Sequence, residues 1–323
     1  MKIEQIISRR FSENQINTFS IIYEWEDVLS EGLKSQITGT NYISYRLAHH
    51  FPFIKRFLLP YRNSLVFYTN ANGQDKIYNK RNIVPFIIDF FLHKDELNLF
   101  YNNHSENKII FVSSPFDYDF LIKNNFPKPI GLIAYSLPDK YAITEKPFKK
   151  KYDIILTGRQ DPLLYSFFKE YVIKHPTVTY VKRGQSLDND ESKTEPYYMN
   201  GETLIGSIHS REEYMSLLSQ AKISLYGIQG FDKDTKDYYH VTPRFLELIA
   251  SGCHVIAHYK EGADSEFYEL NKFSPSIESY EDFEKSMDNA LINDVDMTFY
   301  ASYLKKHYTS SRIKEIKELL KNI

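Results

Sequence analysis

The chain has 323 residues, with 40 basic and 42 acidic side chains and a formal net charge of −2. This near-neutral balance excludes a global attraction to nucleic acid, because that attraction needs an excess of positive charge. The length favours two domains of about 150 residues each over one core. We expect neither a signal peptide nor a membrane-spanning segment, since no apolar run is long enough. The one cysteine, Cys253, excludes an intrachain disulfide and fits a reducing cytoplasm, where we expect a buried, unreactive thiol.

In the first half of the chain, short runs rich in Ile, Val, Phe and Tyr alternate with helical patterns. The runs predict strands at 63–69, 82–90, 108–114 and 129–137. Helices are predicted between the last three strands, over 93–104 and 115–126. The second helix has Ser114 as its cap and Pro115 in its first turn. This spacing predicts right-handed crossovers and a parallel sheet.

The polar and basic stretch TEKPFKKKYD interrupts the pattern, and we place a domain boundary within it at about residue 147. A solvated linker is favoured there over a nucleic-acid patch. The alternation then restarts. Strands are predicted at 152–158, 177–184, 203–209, 222–227 and 253–259. Helices are predicted at 161–175, 210–221, 242–251 and 279–293, with two more before the C-terminus. The polar tract 185–202 is predicted to be a loop.

These patterns predict an α/β fold with two Rossmann-like doubly wound domains that face a central cleft. The domains would comprise residues 1–147 and 148–300. A C-terminal helical segment, 301–323, would pack back toward the first domain. In such sheets, ligands bind beyond the carboxyl ends of the strands, where the loops enter the helices.

Three such loops in the second half carry groups that suit a phosphate. Gly158 and Arg159 follow a strand, where glycine lets the backbone approach and a guanidinium can bind phosphate through two hydrogen bonds. Gly227 follows another strand. The third loop leads into the helix that starts at Thr242 and Pro243, whose N–H groups and positive dipole would suit a diphosphate.

Arg244 and Glu247 lie three residues apart on that helix. Arg244 would add positive charge, and the carboxylate of Glu247 could accept hydrogen bonds from both hydroxyls of a ribose. The alternative is an i,i+3 ion pair on a solvated face, which spacing alone favours.

The stretch PRFLELIASGCHVIAHY, 243–259, resembles the donor-site signature of the group 1, family 4-like glycosyltransferases of the GT-B superfamily. YDIILTGR, SREEYMSLLSQAKISLYG, SPSIESYEDFEKSMDNAL and GLIAYSLPDK resemble neighbouring parts of these enzymes. The resemblance implies transfer of a sugar from a nucleoside diphosphate to a hydroxyl acceptor, a surface glycan or a lipid-linked saccharide. It implies retention of configuration, no metal, and a nucleotide-sugar that is a co-substrate and not a resident cofactor.

The resemblance also implies roles for individual residues of the second half. Arg159 and the amides near Thr242 and Pro243 would meet the diphosphate, and Glu247 would hold the ribose. Tyr239, with His240 beside it, takes the position where family members often carry a second glutamate near the donor sugar.

In the first half, Asp89 and His93 are our candidates for positioning or deprotonating the acceptor. The alternatives are a capping aspartate and a surface histidine. The segment 49–62 interleaves basic and aromatic residues, as a segment in peripheral contact with the inner face of the membrane would. Core packing with Lys55 and Arg56 reaching to solvent is the favoured interpretation, and membrane contact is the alternative.

Three other functions stay open. Asp232 and Asp234 would form an Asp-x-Asp clamp for a metal and a diphosphate, as in GT-A glycosyltransferases. The chain could instead be a non-catalytic partner that binds a sugar-nucleotide. It could also be a sugar-nucleotide epimerase of GT-B fold, which converts its donor without an acceptor.

Overall fold

A computed structural model describes residues 1–11, 20–39, 62–68, 78–88, 90, 92–184, 195–228, 238–321 and 323. The chain divides into two compact units, Met1–Lys140 with His307–Ile323 (unit 1) and Tyr141–Lys306 (unit 2). The sequence patterns predict a division at about residue 147 and a separate segment from residue 301.

The described residues of unit 1 form a parallel sheet of strand order β2-β1-β3-β4-β5-β6. Its strands are β1 (Gln5–Ser8), β2 (Gln36–Gly39), β3 (Ser64–Tyr68), β4 (Ile83–Ile87), β5 (Ile110–Val112) and β6 (Ile130–Leu132). Each strand predicted in the first half contains one of β3–β6. All residues of β3 and β4 are buried, as expected of a parallel sheet that is covered on both faces.

Unit 1 contains four α-helices among its described residues, and one of them begins at its predicted cap. They are α1 (Ser20–Leu33), α2 (Leu97–His104), α3 (Pro115–Lys123) and a C-terminal helix given below. Ser114 Oγ accepts a hydrogen bond of 3.3 Å from the N–H of Asp117, and Pro115 lies in the first turn of α3. The predicted start of this helix is therefore confirmed.

Unit 2 contains a mixed sheet of strand order β10-β9-β8-β7-β11-β12. Its strands are β7 (Tyr152–Leu156), β8 (Tyr180–Arg183), β9 (Glu195–Met199), β10 (Thr203–Ile208), β11 (Ala221–Gly227) and β12 (His254–His258). Four strands pair in parallel, as predicted: β8, β7, β11 and β12. β9 pairs antiparallel with both of its neighbours, β8 and β10.

The prediction of a loop over 185–202 is wrong for β9. Asn200 and Gly201, with φ angles of 51° and 79°, form the centre of a turn that the N–H of Glu202 closes by donating to the carbonyl oxygen of Met199 at 3.1 Å, and residues 200–202 join β9 to β10. Tyr197 is buried in the sheet. Residues 185–194 of this tract lie outside the described residues.

The remaining helices are α4 (Pro162–Lys174), α5 (Arg211–Ser219), α6 (Arg244–Ala250), α7 (Ala263–Phe267), α8 (Tyr280–Ile292), α9 (Met297–Leu304) and α10 (Thr309–Lys321), of which α10 belongs to unit 1. Gly252 has φ +62 just after α6, as predicted for its exit. Cys253 is buried as expected, and burial raises the pKa of its thiol to about 11.

The order of the strands places a crevice in unit 2. After β7 the chain adds β8 on one side, and β11 later pairs with the other side of β7. Ligands of doubly wound sheets bind at such a switch point, beyond the carboxyl ends of the strands. The turn after β7 and the end of β11 are therefore the place to look for a site.

Candidate functional site

Arg244 holds the turn after β7. Its Nη1 donates hydrogen bonds to the carbonyl oxygens of Thr157 (2.5 Å) and Arg159 (2.9 Å). Between these two residues, Gly158 has φ +63, and a Cβ atom there would lie 2.8 Å from Arg244 Nη1. The guanidinium also lies over the Tyr226 ring, 5.4 Å from its centroid. Only glycine fits this turn without strain.

This geometry changes the expected role of Arg244. We predicted that its charge faces a diphosphate, but Nη1 is engaged by two backbone carbonyls. Arg244 therefore determines the shape of the turn, while Gly158 and Arg159 are exposed on it. A direct contact of Arg159 or Gly158 with phosphate stays a prediction.

The start of α6 also differs from the expectation. Its cap residue is Pro243, without a side-chain capping bond, and the hydroxyl of Thr242 lies 3.4 Å from Tyr226 Oη instead. The N–H of Thr242 donates to the same Tyr226 oxygen at 2.9 Å. Pro243 has no N–H group. The N–H of Thr242 is therefore engaged by Tyr226, and a contact of the other amides near Thr242 and Pro243 with a diphosphate stays a prediction.

Glu247 is buried, with 4% of its surface exposed, and its Oε1 accepts a hydrogen bond of 2.7 Å from Arg211 Nη2. All residues of α6 after Arg244 are buried. The alternative of a solvated i,i+3 pair between Arg244 and Glu247 is therefore wrong. A buried carboxylate needs a partner, and the first residue of α5 supplies it.

Arg211 cannot be predicted as the partner of Glu247, because no local spacing relates two residues that are 36 positions apart. Tyr214, one turn along α5, is likewise not predicted; its hydroxyl donates to Thr157 Oγ1 at 3.3 Å. Burial raises the pKa of Tyr214, so its hydroxyl stays protonated and remains a donor. Side chains of α5 and α6 thus converge on the turn after β7.

Gly227, at the end of β11, packs against Asp161, and a Cβ atom on it would lie 2.6 Å from Asp161 Cβ. Asp161 Oδ1 accepts two backbone N–H bonds at the start of α4, and Oδ2 lies 3.0 Å from His258 Nδ1. Burial lowers the pKa of His258, but the hydrogen bond and charge of Asp161, with Glu278, raise it above 6.5 on balance. This carboxylate–imidazole pair joins two residues 97 positions apart and is a second feature that local sequence patterns do not predict.

The residues predicted near the donor sugar precede α6. His240 is buried, with 2% exposed, and Tyr239 is half-buried with Lys260 Nζ 4.7 Å from its ring centroid. Between them and the helix, the N–H of Val241 donates to the buried Asp264 Oδ2 at 2.9 Å. Roles of Tyr239 and His240 at the sugar stay predictions.

In unit 1, His93 is exposed and its backbone N–H donates to Glu96 Oε2 at 2.8 Å. Asp89 lies outside the described residues, as do 49–61 of the predicted membrane segment and Asp232 with Asp234. The described ranges contain no cluster of three or more His, Cys, Asp or Glu side chains that could hold a metal ion. Within the same ranges, no helix is long and apolar enough to cross a membrane.

Residues 193–318 match the family model described as "Glycosyl transferase-like". No curated protein matches the sequence. Among solved structures, AviGT4, a glycosyltransferase involved in avilamycin A biosynthesis, is similar over 99% of this chain and 97% of its own, with a TM-score of 0.55 and 10% identity.

Two further structures cover most of this chain. The pneumococcal O-GlcNAc transferase GtfA in complex with UDP and GlcNAc matches 86% of it (TM-score 0.53, 12% identity), and TarM matches 83% (TM-score 0.53, 15% identity). The chain spans 60% of the length of GtfA and 57% of the length of TarM. The predicted α/β fold is confirmed, and the chain shares it with glycosyltransferases. The family 4-like assignment stays a prediction.

Proposed function

We propose that this chain is a glycosyltransferase that transfers a sugar from a nucleoside diphosphate donor to a hydroxyl acceptor. The match to a glycosyl transferase-like family covers 193–318, the range that contains Arg211, Gly227, Arg244 and Glu247. The fold is shared with glycosyltransferases, one of them in complex with UDP and GlcNAc. The activity is proposed from this likeness together with the side chains of unit 2.

The observation that carries the proposal is the buried carboxylate of Glu247. Arg211 holds its Oε1, while its Oε2 accepts no hydrogen bond from the described residues. One carboxylate oxygen is thus fixed, and the other is available to a ligand close to the switch point of the sheet. A ribose, with two adjacent hydroxyl donors, matches this acceptor.

The diphosphate would then reach the exposed turn after β7. Gly158 lets a phosphate approach the backbone there, and the guanidinium of Arg159 can bind it through two hydrogen bonds. In the reaction, an acceptor hydroxyl forms a bond to C1 of the sugar as the bond from C1 to the diphosphate oxygen breaks. Positive charge at this turn would stabilise the leaving group, so we propose transfer without a metal.

Further parts of the proposal concern the sugar and the acceptor. Tyr239 and His240 would lie toward the donor sugar, and Asp89 or His93 would position or deprotonate the acceptor hydroxyl. We propose retention of configuration and a surface glycan or lipid-linked saccharide as the acceptor. Contact of 49–62 with the inner face of the membrane belongs to the same proposal.

Ligand binding tests the site. UDP, GDP, dTDP, CMP and ADP are each added in a thermal-shift screen, and we expect one of them to raise the unfolding temperature by binding the folded state. In Glu247→Gln this shift should be greatly reduced, whereas Glu266→Gln, at an exposed position of α7, should keep it. An unchanged shift in Glu247→Gln would exclude Glu247 as the ribose contact.

Product analysis tests the reaction with the nucleotide-sugar that corresponds to the best ligand. Transfer to an acceptor supports the proposal, and conversion of the donor alone supports an epimerase. Binding without turnover across a broad acceptor panel supports a non-catalytic partner. Activity that is lost with a strong chelator and restored by a divalent metal would support the clamp of Asp232 and Asp234.

A further inference from the structure

We propose that Arg211 is a positioning residue that holds the Glu247 carboxylate in the orientation that accepts the ribose hydroxyls. This inference rests on the proposed function, because it assigns Glu247 to the ribose of a nucleotide donor. Arg211 itself would not touch the ligand. Its effect is therefore expected on the recognition of the 2′-hydroxyl.

The start of α5 fixes the backbone of Arg211. Ser210 Oγ accepts a hydrogen bond of 3.1 Å from the N–H of Glu213, and Glu213 Oε2 accepts one of 2.7 Å from the N–H of His209. These bonds anchor the first turn of the helix. The Arg211 side chain therefore projects from a rigid position.

The side chain of Arg211 is also restrained. It is 15% exposed, its guanidinium carbon lies 5.6 Å from the centroid of the Tyr214 ring, and Nη2 is 2.7 Å from Glu247 Oε1. Tyr214 is fixed in turn by its hydrogen bond to Thr157 Oγ1. A planar guanidinium on an aromatic face can hold a carboxylate in one orientation, which the mobile ammonium of lysine does less well.

The orientation matters because a diol has two donors at a fixed spacing. A carboxylate that is free to rotate would have to be ordered when the ligand binds, and this ordering reduces affinity. A carboxylate with Oε1 already held presents Oε2 in place. The ion pair between Arg211 and Glu247 thus joins α5 to α6 and orients Glu247 Oε2 as a hydrogen-bond acceptor before the ligand binds.

The competing explanation is that the pair only joins α5 to α6. Both explanations predict that loss of Arg211 lowers stability, so stability alone does not distinguish them. They differ in the ratio of affinities for a ribonucleotide and its 2′-deoxy counterpart. A purely structural pair would leave this ratio unchanged.

The test measures, by calorimetry, the dissociation constants of UDP, GDP and ADP and of their 2′-deoxy forms for the full chain. The wild type should bind one ribonucleotide about tenfold tighter than its deoxy form, as expected for a hydrogen bond to a charged group. In Arg211→Gln the ratio should fall toward one, and Arg211→Lys should give an intermediate ratio. Tyr171→Phe, which removes a hydrogen bond to Asp288 on α8, is the matched control and should keep the wild-type ratio.

The outcomes separate this inference from the proposed function. A wild-type ratio retained in Arg211→Gln and in Arg211→Lys overturns the inference and leaves the proposed function intact. If Arg211→Gln does not fold, the ratio in Arg211→Lys decides. A wild type that binds none of these nucleotides overturns the proposed function and this inference with it.

Discussion

The guanidinium of Arg244 donates a hydrogen bond of 2.5 Å to the carbonyl oxygen of Thr157, 87 positions earlier in the chain. The bond joins the start of α6 to the end of β7. Gly158, between the two carbonyls that Arg244 binds, has the left-handed backbone that closes the turn. The turn after β7 and the start of α6 therefore form one structural unit, and a change in either should affect the other.

Replacement of Gly158 tests this unit. Gly158→Ala places a methyl group in a left-handed conformation and 2.8 Å from Arg244 Nη1. We expect the free energy of unfolding to fall by about 1–3 kcal/mol and nucleotide binding to weaken. Urea unfolding measures the first effect. The control is Gly262→Ala, where no atom lies within 4 Å of the added carbon; an equal loss there would contradict the expectation.

Arg244→Met keeps an unbranched apolar side chain but removes the guanidinium and its hydrogen-bond donors. The carbonyl oxygens of Thr157 and Arg159 then lose a hydrogen bond each, and we expect a loss of about 1–3 kcal/mol in the free energy of unfolding. The double variant with Gly158→Ala should lose less than the sum, by about 0.5–3 kcal/mol, because both changes act on one contact. Strictly additive losses would show that the turn does not depend on Arg244.

His258 should make the stability of unit 2 depend on pH. Its pKa in the folded chain lies above 6.5, so its contribution is fully present below pH 6.5 and is lost as the pH rises through the raised value. His258→Gln should therefore destabilise the chain more at about pH 6 than at about pH 9. Urea unfolding at the two pH values checks this, with His209→Gln, at an exposed position, as the control. An equal loss of stability in His258→Gln at the two pH values would argue against a charged His258.

In unit 1, the buried carboxyl of Glu26 should also make the free energy of unfolding fall as the pH rises. It is buried on α1, where Ser8 Oγ donates to its Oε2 at 2.5 Å and Arg10 Nε at 3.1 Å. Burial raises the pKa of its carboxyl from 4.5 to about 7, against the opposing effects of Ser8 and Arg10. The folded state therefore favours the protonated carboxyl. The contribution of this carboxyl to the free energy of unfolding, about 3 kcal/mol at most, is lost as the pH rises from 4.5 to about 7.

Glu26→Gln cannot ionise, so its stability relative to the wild type should increase between about pH 5 and about pH 8. Urea unfolding across this range measures the difference. Glu31→Gln, at an exposed position of the same helix, should follow the wild-type profile. If the stability of Glu26→Gln also follows the wild-type pH profile, Glu26 does not titrate between about pH 5 and about pH 8.

Elements with local determinants could be predicted from the sequence. Ser114 and Pro115 define the start of α3 by contacts within one turn, and the apolar runs that predict β3 and β4 are buried on both faces. β9 was missed because its polar surroundings hid the Asn200–Gly201 pair that makes the hairpin. The turn residues were a better guide there than the average polarity of the tract.

The location of the candidate site could be predicted from the sequence, but the hydrogen-bond partners of its side chains could not. The positions of Gly158 and Gly227 at strand ends follow from the alternation of strands and helices. The partner of Glu247 does not, because it depends on how α5 packs beside α6. The bonds of Arg244 to the turn after β7 do not follow from the sequence for a similar reason, since a long side chain can reach a neighbouring loop as readily as a ligand.

The route of the chain through unit 1 has a consequence for any attempt to divide the protein. The N–H of Leu137 donates to the carbonyl of His307 at 2.8 Å, the N–H of Thr309 to that of Leu137 at 2.9 Å, and Arg312 Nε to Ala134 O at 2.9 Å. A fragment that stops at residue 140 lacks α10 and leaves its apolar contacts exposed, so we expect it to aggregate. A chain in which a short glycine-rich linker joins residues 140 and 307 should instead fold as a separate body, which circular dichroism and thermal unfolding can show. Residues 141–306 are therefore an insertion between the two parts of unit 1. Unit 1 cannot finish folding until α10 has been synthesised.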